Sequence, residues 1–315
     1  MARQRWDALD DMRGLAILVM VPVNVAADFT NIPGWFKHAP AQGLTIADFV
    51  VPVFLFSLGL SASFSFKARI TEKGSARTFL HALFRYGLLF AFGTLGILFV
   101  DHEARWEVLQ MLGATGMFSF FFLFIPPWPR LGAAAFLLAA VEVLRPFGLG
   151  GLLNQWYASG IGGPWGTFSL GFLVIVASAL GELVKDDGAR GRLLVTGVSA
   201  FLLCGGGLLA HVWIPFSKHL LSLSYILFTG GAACGLLALL VLWREALHLP
   251  FPLVGSMGRN PLLLYMVHAV LGVLIVSLIG EQASATAAWC SSIGVLGVCW
   301  LGAWLLDRKK IYVRL

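Results

Sequence analysis

Charge is scarce in this chain. Asp, Glu, Lys and Arg make up 12% of its 315 residues while 58% are hydrophobic, against roughly 25% charged and about 45–50% apolar in a soluble domain. That shortage excludes an ordinary cytosolic enzyme. A polar stretch long enough to fold by itself is missing too, because the longest weakly apolar segments are connectors of about ten to twenty residues. The four cysteines, Cys204, Cys234, Cys290 and Cys299, lie inside apolar runs with no paired ligand spacing. They read as small core residues, so neither a disulfide nor a metal site is expected. No glycine-rich phosphate loop and no serine nucleophile elbow occurs. The excess of 22 Lys and Arg over 16 Asp and Glu would suggest nucleic acid in a soluble protein. In a chain this apolar it marks loops held on the cytoplasmic side, and no nucleic-acid partner is expected.

What the sequence has instead is long hydrophobic runs. A membrane-spanning helix needs about 20 mainly apolar residues, and ten segments qualify, at roughly 14–29, 46–66, 79–100, 107–125, 131–149, 167–184, 193–213, 222–243, 260–280 and 286–306. The expected fold is an all-α, polytopic transmembrane helix bundle of about ten spans, forming one integral-membrane domain over residues 1–315. The first run carries Asn24 and Asp28, lacks a small-residue cleavage site and is closely followed by another, so it reads as a retained helix and not as a signal peptide.

Orientation follows from the cations. With the N-terminus inside, the inner segments hold Arg3, Arg5, Arg13, Lys67, Arg69, Lys73, Arg77, Arg130, Lys185, Arg190, Arg192, Arg244, Arg259, Arg308, Lys309, Lys310 and Arg314. The outer loops hold only Lys37, Arg105, Arg145 and Lys218, and Arg85 sits within a span, where it can snorkel. Both termini are therefore expected in the cytoplasm.

A charged side chain at mid-bilayer costs roughly 2.5–3.5 kcal/mol on insertion scales, so intramembrane polar residues point to function. Asn24 and Asp28 share a helical face, and Asn24 lies about 15 Å beyond Gly14, near the midplane. An interhelical hydrogen bond would equally explain Asn24, and interfacial solvation Asp28. In the outer loop, His38 stands among prolines and aromatics, where an imidazole can exchange protons near neutrality. Thr45 and Asp48 have capping-box spacing, and helix capping alone would explain both. Asn260 and Pro261 read as an N-cap followed by a first-turn proline. His268, eight residues on and about 12 Å deeper, reaches the level of Asn24. It is either part of a shared buried site or a core histidine bonded to a carbonyl. Glu142 and Arg145 have ion-pair spacing. His81, Arg85, Glu182, His211 and His248 fit interfacial positions.

Several of these residues fall in an order that resembles a known family. Leu9-Asp10-Asp11-Met12-Arg13-Gly14, Val23-Asn24, His38-Ala39, Gly43-Leu44-Thr45, Ala47-Asp48, Pro52 and Phe54-Leu55-Phe56 with Gly59 resemble the opening of the transmembrane heparan-α-glucosaminide N-acetyltransferase family and its bacterial relatives. Further similarity runs through Val108-Leu109-Gln110, Lys218, Ser222–Tyr225, Gly258, Asn260, Leu264-Tyr265, His268 and Arg308–Ile311. The chain departs from the pattern at Ala41 and Gln42, where relatives tend to carry Trp and Asn, and at Met111, where an Arg is common. Its outer loops, none longer than about twenty residues, lack the large inserts of the lysosomal enzyme.

The resemblance implies a bacterial inner-membrane acyltransferase that takes acetyl-CoA from the cytoplasm and acetylates an amine, that of an amino sugar, on the far side, without a metal. It implies His38 as the active-site histidine and Asn24 as the active-site asparagine. Asp48 is then the residue that orients His38. His268, Asn260, Gln110, Lys218, Ser222, Tyr265 and Arg259 become candidates for binding CoA or acceptor, and a homodimer is left open. Apart from the resemblance, a secondary transporter or lipid flippase also places polar groups at mid-membrane, and an inactive membrane scaffold would keep the same spans.

Overall fold

The computed structural model describes residues 6–40, 42–100, 105–155, 159 and 161–313, the side chains of residues 98–100 and 252 excepted. Arg3, Arg5 and Arg314, counted above among the inner cations, and Ala41 lie outside the described residues. The described chain is all-α, with eleven α-helices: α1 (Asp7–Ala27), α2 (Val50–Val100), α3 (Val108–Phe120), α4 (Pro127–Leu144), α5 (Leu149–Asn154), α6 (Gly163–Leu183), α7 (Ala189–His211), α8 (Leu223–Val241), α9 (Pro252–Arg259), α10 (Pro261–Ile279) and α11 (Ala285–Arg308). They fall into two compact units, one built from Met1–Pro40, Leu44–Phe54 and Leu236–Arg314, the other from Leu55–Gly235 with residues 41–43.

Every segment expected to span falls on a helix. Six helical segments among the described residues are long and apolar enough to cross a membrane, Ile46–Ile97, Gly163–Leu183, Ala189–His211, Leu223–Ala246, Pro261–Ile279 and Ala285–Arg308. Where the helices depart from the ten expected segments, the reasons are local. The second and third lie on the two helical limbs of α2, which part at Gly74, whose φ of 77° and ψ of 165° are not helical and would strain a side chain. The fourth is short, since α3 tightens into a 3₁₀ turn at Phe121–Phe124 before Pro126. The fifth runs over Pro127–Leu144, not 131–149, because Pro127 suits the first turn and Pro146 has no N–H with which to continue. The first, α1, opens with Asp7, Asp10, Asp11 and Arg13, too many charges for a purely apolar run.

In the first unit, α1 packs against α9, α10 and α11. The contact with α9 is close because Gly258 has no side chain; a Cβ there would run into the Asp10 carbonyl. Gly258→Ala is therefore expected to cost roughly 1–3 kcal/mol by overpacking, read as a lower midpoint in thermal unfolding of the detergent-purified protein. A wild-type midpoint would mean that α9 shifts freely.

Charges that start α1 are matched by cations on α1 itself and beyond it. Arg244 Nε lies 2.8 Å from Asp11 Oδ2, Arg13 lies 3.3 Å from Asp10, and Arg259 engages Asp307 and sits 4.0 Å from Asp10. Burial pushes the Asp11 carboxyl up to about 6, against the pull of the Arg244 guanidinium. Pro261 opens α10 as expected, but Asn260 makes no side-chain cap. Its amide turns instead to the end of the chain, donating to the Ile311 carbonyl at 3.1 Å and accepting the Val313 N–H at 2.7 Å.

In the second unit α6 is the hub. Its residues 169–181 are all buried, as a helix apolar on every side requires, and α3, α4 and α5 pack on it. On α7, by contrast, Leu194, Phe201, Leu202, Leu208 and Leu209 are exposed. An apolar exposed face of that extent belongs in lipid.

Candidate active site

Asn24 occupies the last full turn of α1, and the chain leaves that helix into the loop that carries His38. Lys37 holds the start of this loop by donating to the Phe29 carbonyl at 2.5 Å. A 3₁₀ turn, Ile46–Phe49, then leads into α2 and packs on α1. Asp48 on that turn is 1% exposed. Its Oδ2 accepts the Thr45 N–H at 2.9 Å, the Thr45 hydroxyl at 3.0 Å and the Ala39 N–H at 3.3 Å, which is the capping arrangement the Thr45–Asp48 spacing implied. Its Oδ1 stands 2.9 Å from His38 Nδ1.

The bond to Asp48 sets the orientation of the histidine ring. A carboxylate oxygen can only accept, so Nδ1 carries a proton and Nε2 is left facing away from Asp48. No partner for Nε2 occurs among the described residues, and the ring is 37% exposed. Capping and histidine orientation are one arrangement here, because the buried carboxylate that ends the loop also aims the ring.

The second polar pair forms where the depth arithmetic placed it. Asn24 Nδ2 lies 3.1 Å from His268 Nε2, while His268 Nδ1 lies 3.2 Å from the Leu264 carbonyl. The carbonyl only accepts, so Nδ1–H donates to it, and Nε2 must accept an Asn24 N–H. His268 is thus a core histidine on a carbonyl, 3% exposed, that also holds Asn24. Tyr265 packs edge-on to its ring at 5.2 Å between centroids. The half-buried Asn24 keeps a second N–H and its carbonyl oxygen for other partners.

Other expected site residues are engaged elsewhere. Arg259 is held by Asp307, which raises its pKa further, and Tyr312 donates to the same carboxylate at 3.0 Å. Gln110, in the second unit, accepts the Glu107 N–H at 3.3 Å and donates to the Arg105 carbonyl at 3.1 Å. Ser222 donates to the Pro215 carbonyl at 3.0 Å and accepts the Ser217 N–H at 3.1 Å. Lys218, in the same loop, is buried at 7% exposure. The Glu142–Arg145 pair forms at 3.0 Å and does more than neutralise itself. Arg145 donates to the Leu220 carbonyl at 2.6 Å and Glu142 accepts the Leu223 N–H at 3.1 Å, clamping the Lys218–Ser222 loop. Sequence reasoning missed the Asp11–Arg244 pair; its one local signal was an acidic run at a helix start, which the family resemblance absorbed.

Fold and site together define a polytopic α-helical protein that carries a carboxylate-oriented imidazole and a histidine-held asparagine amide. Residues 5–161, half of the chain, match the family model "Heparan-alpha-glucosaminide N-acetyltransferase, catalytic", and the chain belongs to that family. Asn24, His38, Asp48 and Gln110 lie inside the matched segment. The chain is 34% identical to heparan-alpha-glucosaminide N-acetyltransferase of Mus musculus over 132 residues, 38% of this chain and 20% of that protein. It is 34% identical to the Homo sapiens protein of the same name over 120 residues, 35% of this chain and 18% of that one. The match thus spans about a fifth of the length of these curated relatives.

Proposed function

We propose that this chain works as one integral-membrane domain that transfers an acetyl group from acetyl-CoA to an amine, that of an amino sugar, across a bacterial inner membrane. The observation that carries the reading is the His38–Asp48 bond, which leaves one imidazole nitrogen free to take a proton. In the reaction the amine nitrogen forms a bond to the thioester carbonyl carbon, the C–S bond breaks, and CoA departs as the thiolate. His38 Nε2 takes the proton that the amine loses and passes it on to the leaving sulfur. Asp48 stays ionised and steadies the imidazolium. The free N–H of Asn24 stabilises the charge that builds on the carbonyl oxygen, and His268 keeps that amide in place.

Sidedness follows from the cations: acetyl-CoA arrives at the Lys- and Arg-rich cytoplasmic end, and His38 meets the acceptor at the outer end. His268 and Tyr265 line the approach to Asn24. Asn260, bonded to the chain end, and Arg259, paired with Asp307, serve to hold the helix ends; Gln110 and Ser222 shape their loops; Lys218 stays a candidate for contact with a phosphate or acceptor on the family resemblance alone.

The test is acetyl transfer by the purified, lipid-reconstituted chain, with acetyl-labelled CoA and glucosamine as acceptor. N-acetylglucosamine is expected to appear in proportion to CoA released. Label retained on protein in the absence of acceptor would point to His38 as a transient acetyl carrier. Absence of both acetyl-CoA binding and transfer to any amine would overturn the proposal and leave transport as the alternative.

A further inference from the structure

The two limbs of α2 and the end of α3 enclose a cleft lined by none of the residues placed in the acetyl-transfer step. Arg69 comes from the first limb, His81 and Arg85 from the second, over a floor that includes Phe66 and Phe120. Three features set it apart. No carboxylate lines it, and the charges that act on His81, those of Arg69, Arg85 and Lys73, are all positive. His81 Nε2 and Arg85 Nε are both shielded from solvent without a hydrogen-bond partner among the described residues. The Arg85 guanidinium also stands 5.7 Å from the centroid of the Tyr86 ring, which helps to set its plane.

The same unit shows what a purely structural cation looks like. Arg130, 1% exposed, donates to the Leu123 and Ile125 carbonyls and to Ser178, and pairs with Glu182 at 3.0 Å, with Lys67 on the other carboxylate oxygen. Every direction of that guanidinium is used. Buried polar nitrogens without partners are costly, so two of them on one cleft ask for a partner from outside the chain.

We infer that this cleft binds a phosphate group. A phosphate supplies an acceptor oxygen for Arg85 Nε and for His81 Nε2 in its N–H form, together with a negative charge in a cleft lined by cations, and a guanidinium fork matches it bidentately. Arg69 and His81 are five and seven residues from the Gly74 turn, about 8–10 Å along each limb, the depth of a membrane interface. Two sources share this chemistry there: the phosphates of CoA and the headgroup of an anionic phospholipid. With CoA as occupant the inference rests on the acetyl-transfer reading; with lipid it stands without it.

The experiment measures binding of inorganic pyrophosphate and of CoA to the full chain in detergent, and counts co-purified phosphatidylglycerol by mass spectrometry. Wild type is compared with Arg85→Gln, Arg85→Lys and His81→Gln. Arg85→Gln is expected to weaken pyrophosphate binding about tenfold or more, with much of it restored in Arg85→Lys. A parallel fall in CoA affinity with lipid unchanged assigns the site to CoA; loss of phosphatidylglycerol with CoA affinity unchanged assigns it to lipid. If Arg85→Gln does not fold, His81→Gln gives the same reading from the other orphaned nitrogen. Variants that bind all three probes like wild type overturn the inference. So does a wild type that binds pyrophosphate no better than they do. Acetyl transfer failing in the wild type while pyrophosphate binding depends on Arg85 would sink the transferase reading and leave the phosphate site standing.

Discussion

His38→Ala is expected to reduce acetyl transfer by about 10²–10⁴-fold, the usual worth of a positioned general base, and to near zero if the imidazole carries the acetyl group. The folded state should survive the change, because His38 sits in a loop, is 37% exposed and bonds through its side chain to Asp48. Initial rates with acetyl-labelled CoA and a thermal melt on the same preparation separate the two effects. Asp48→Asn is the informative companion. It places an amide where the Thr45 N–H, the Thr45 hydroxyl, the Ala39 N–H and the His38 ring all need an acceptor, so both rate and melting point should drop. Unaltered turnover by His38→Ala would remove this residue from the chemistry altogether.

Asn24→Ala is expected to lower kcat by about 10²–10³-fold, the cost of one lost donor to a developing oxyanion, with little change in KM. The alternative is that Asn24 only glues α1 to α10 through His268. The two readings separate on the partner. If Asn24 meets the substrate and His268 merely holds it, His268→Ala should cost less than Asn24→Ala, and the double variant should be no slower than Asn24→Ala alone. If the pair is glue, both single variants should lower the melting point equally and leave kcat per folded molecule intact. That second outcome would take Asn24 out of the mechanism.

Which parts of this were legible in the sequence depended on how far apart the partners are. His38 and Asp48 are ten residues apart in one loop, and the capping spacing of Thr45 and Asp48 announced a buried carboxylate where the histidine could reach it. The Asn24–His268 pair, 244 residues apart, was reachable only because membrane depth gives each residue of a spanning helix a height, and equal heights narrow the possible partners. No such coordinate exists for residues at helix ends. The Asn260 clamp on Ile311 and Val313 and the Arg259–Asp307 pair therefore look, in sequence, like a cap and a free cation. The stretch 67–78, dense in charge, reads as a connector between spans; the helical limbs of α2 run into it from both sides and part only at Gly74, whose backbone is not helical. Composition reports which residues can lie in lipid; it is silent on whether a polar joint is coiled or wound.

The bonds at one pole of the first unit have a practical corollary. Trp6 is tied to Glu245, Asp11 to Arg244, Asp10 to Arg259, Arg259 to Asp307 and Asn260 to Ile311. The beginnings of α1 and α10, the tail beyond α8 and the finish of α11 are thus laced together on a common level. Sidedness for all four is a single question: one impermeant tag, placed at any of them in intact cells, reports for the whole set.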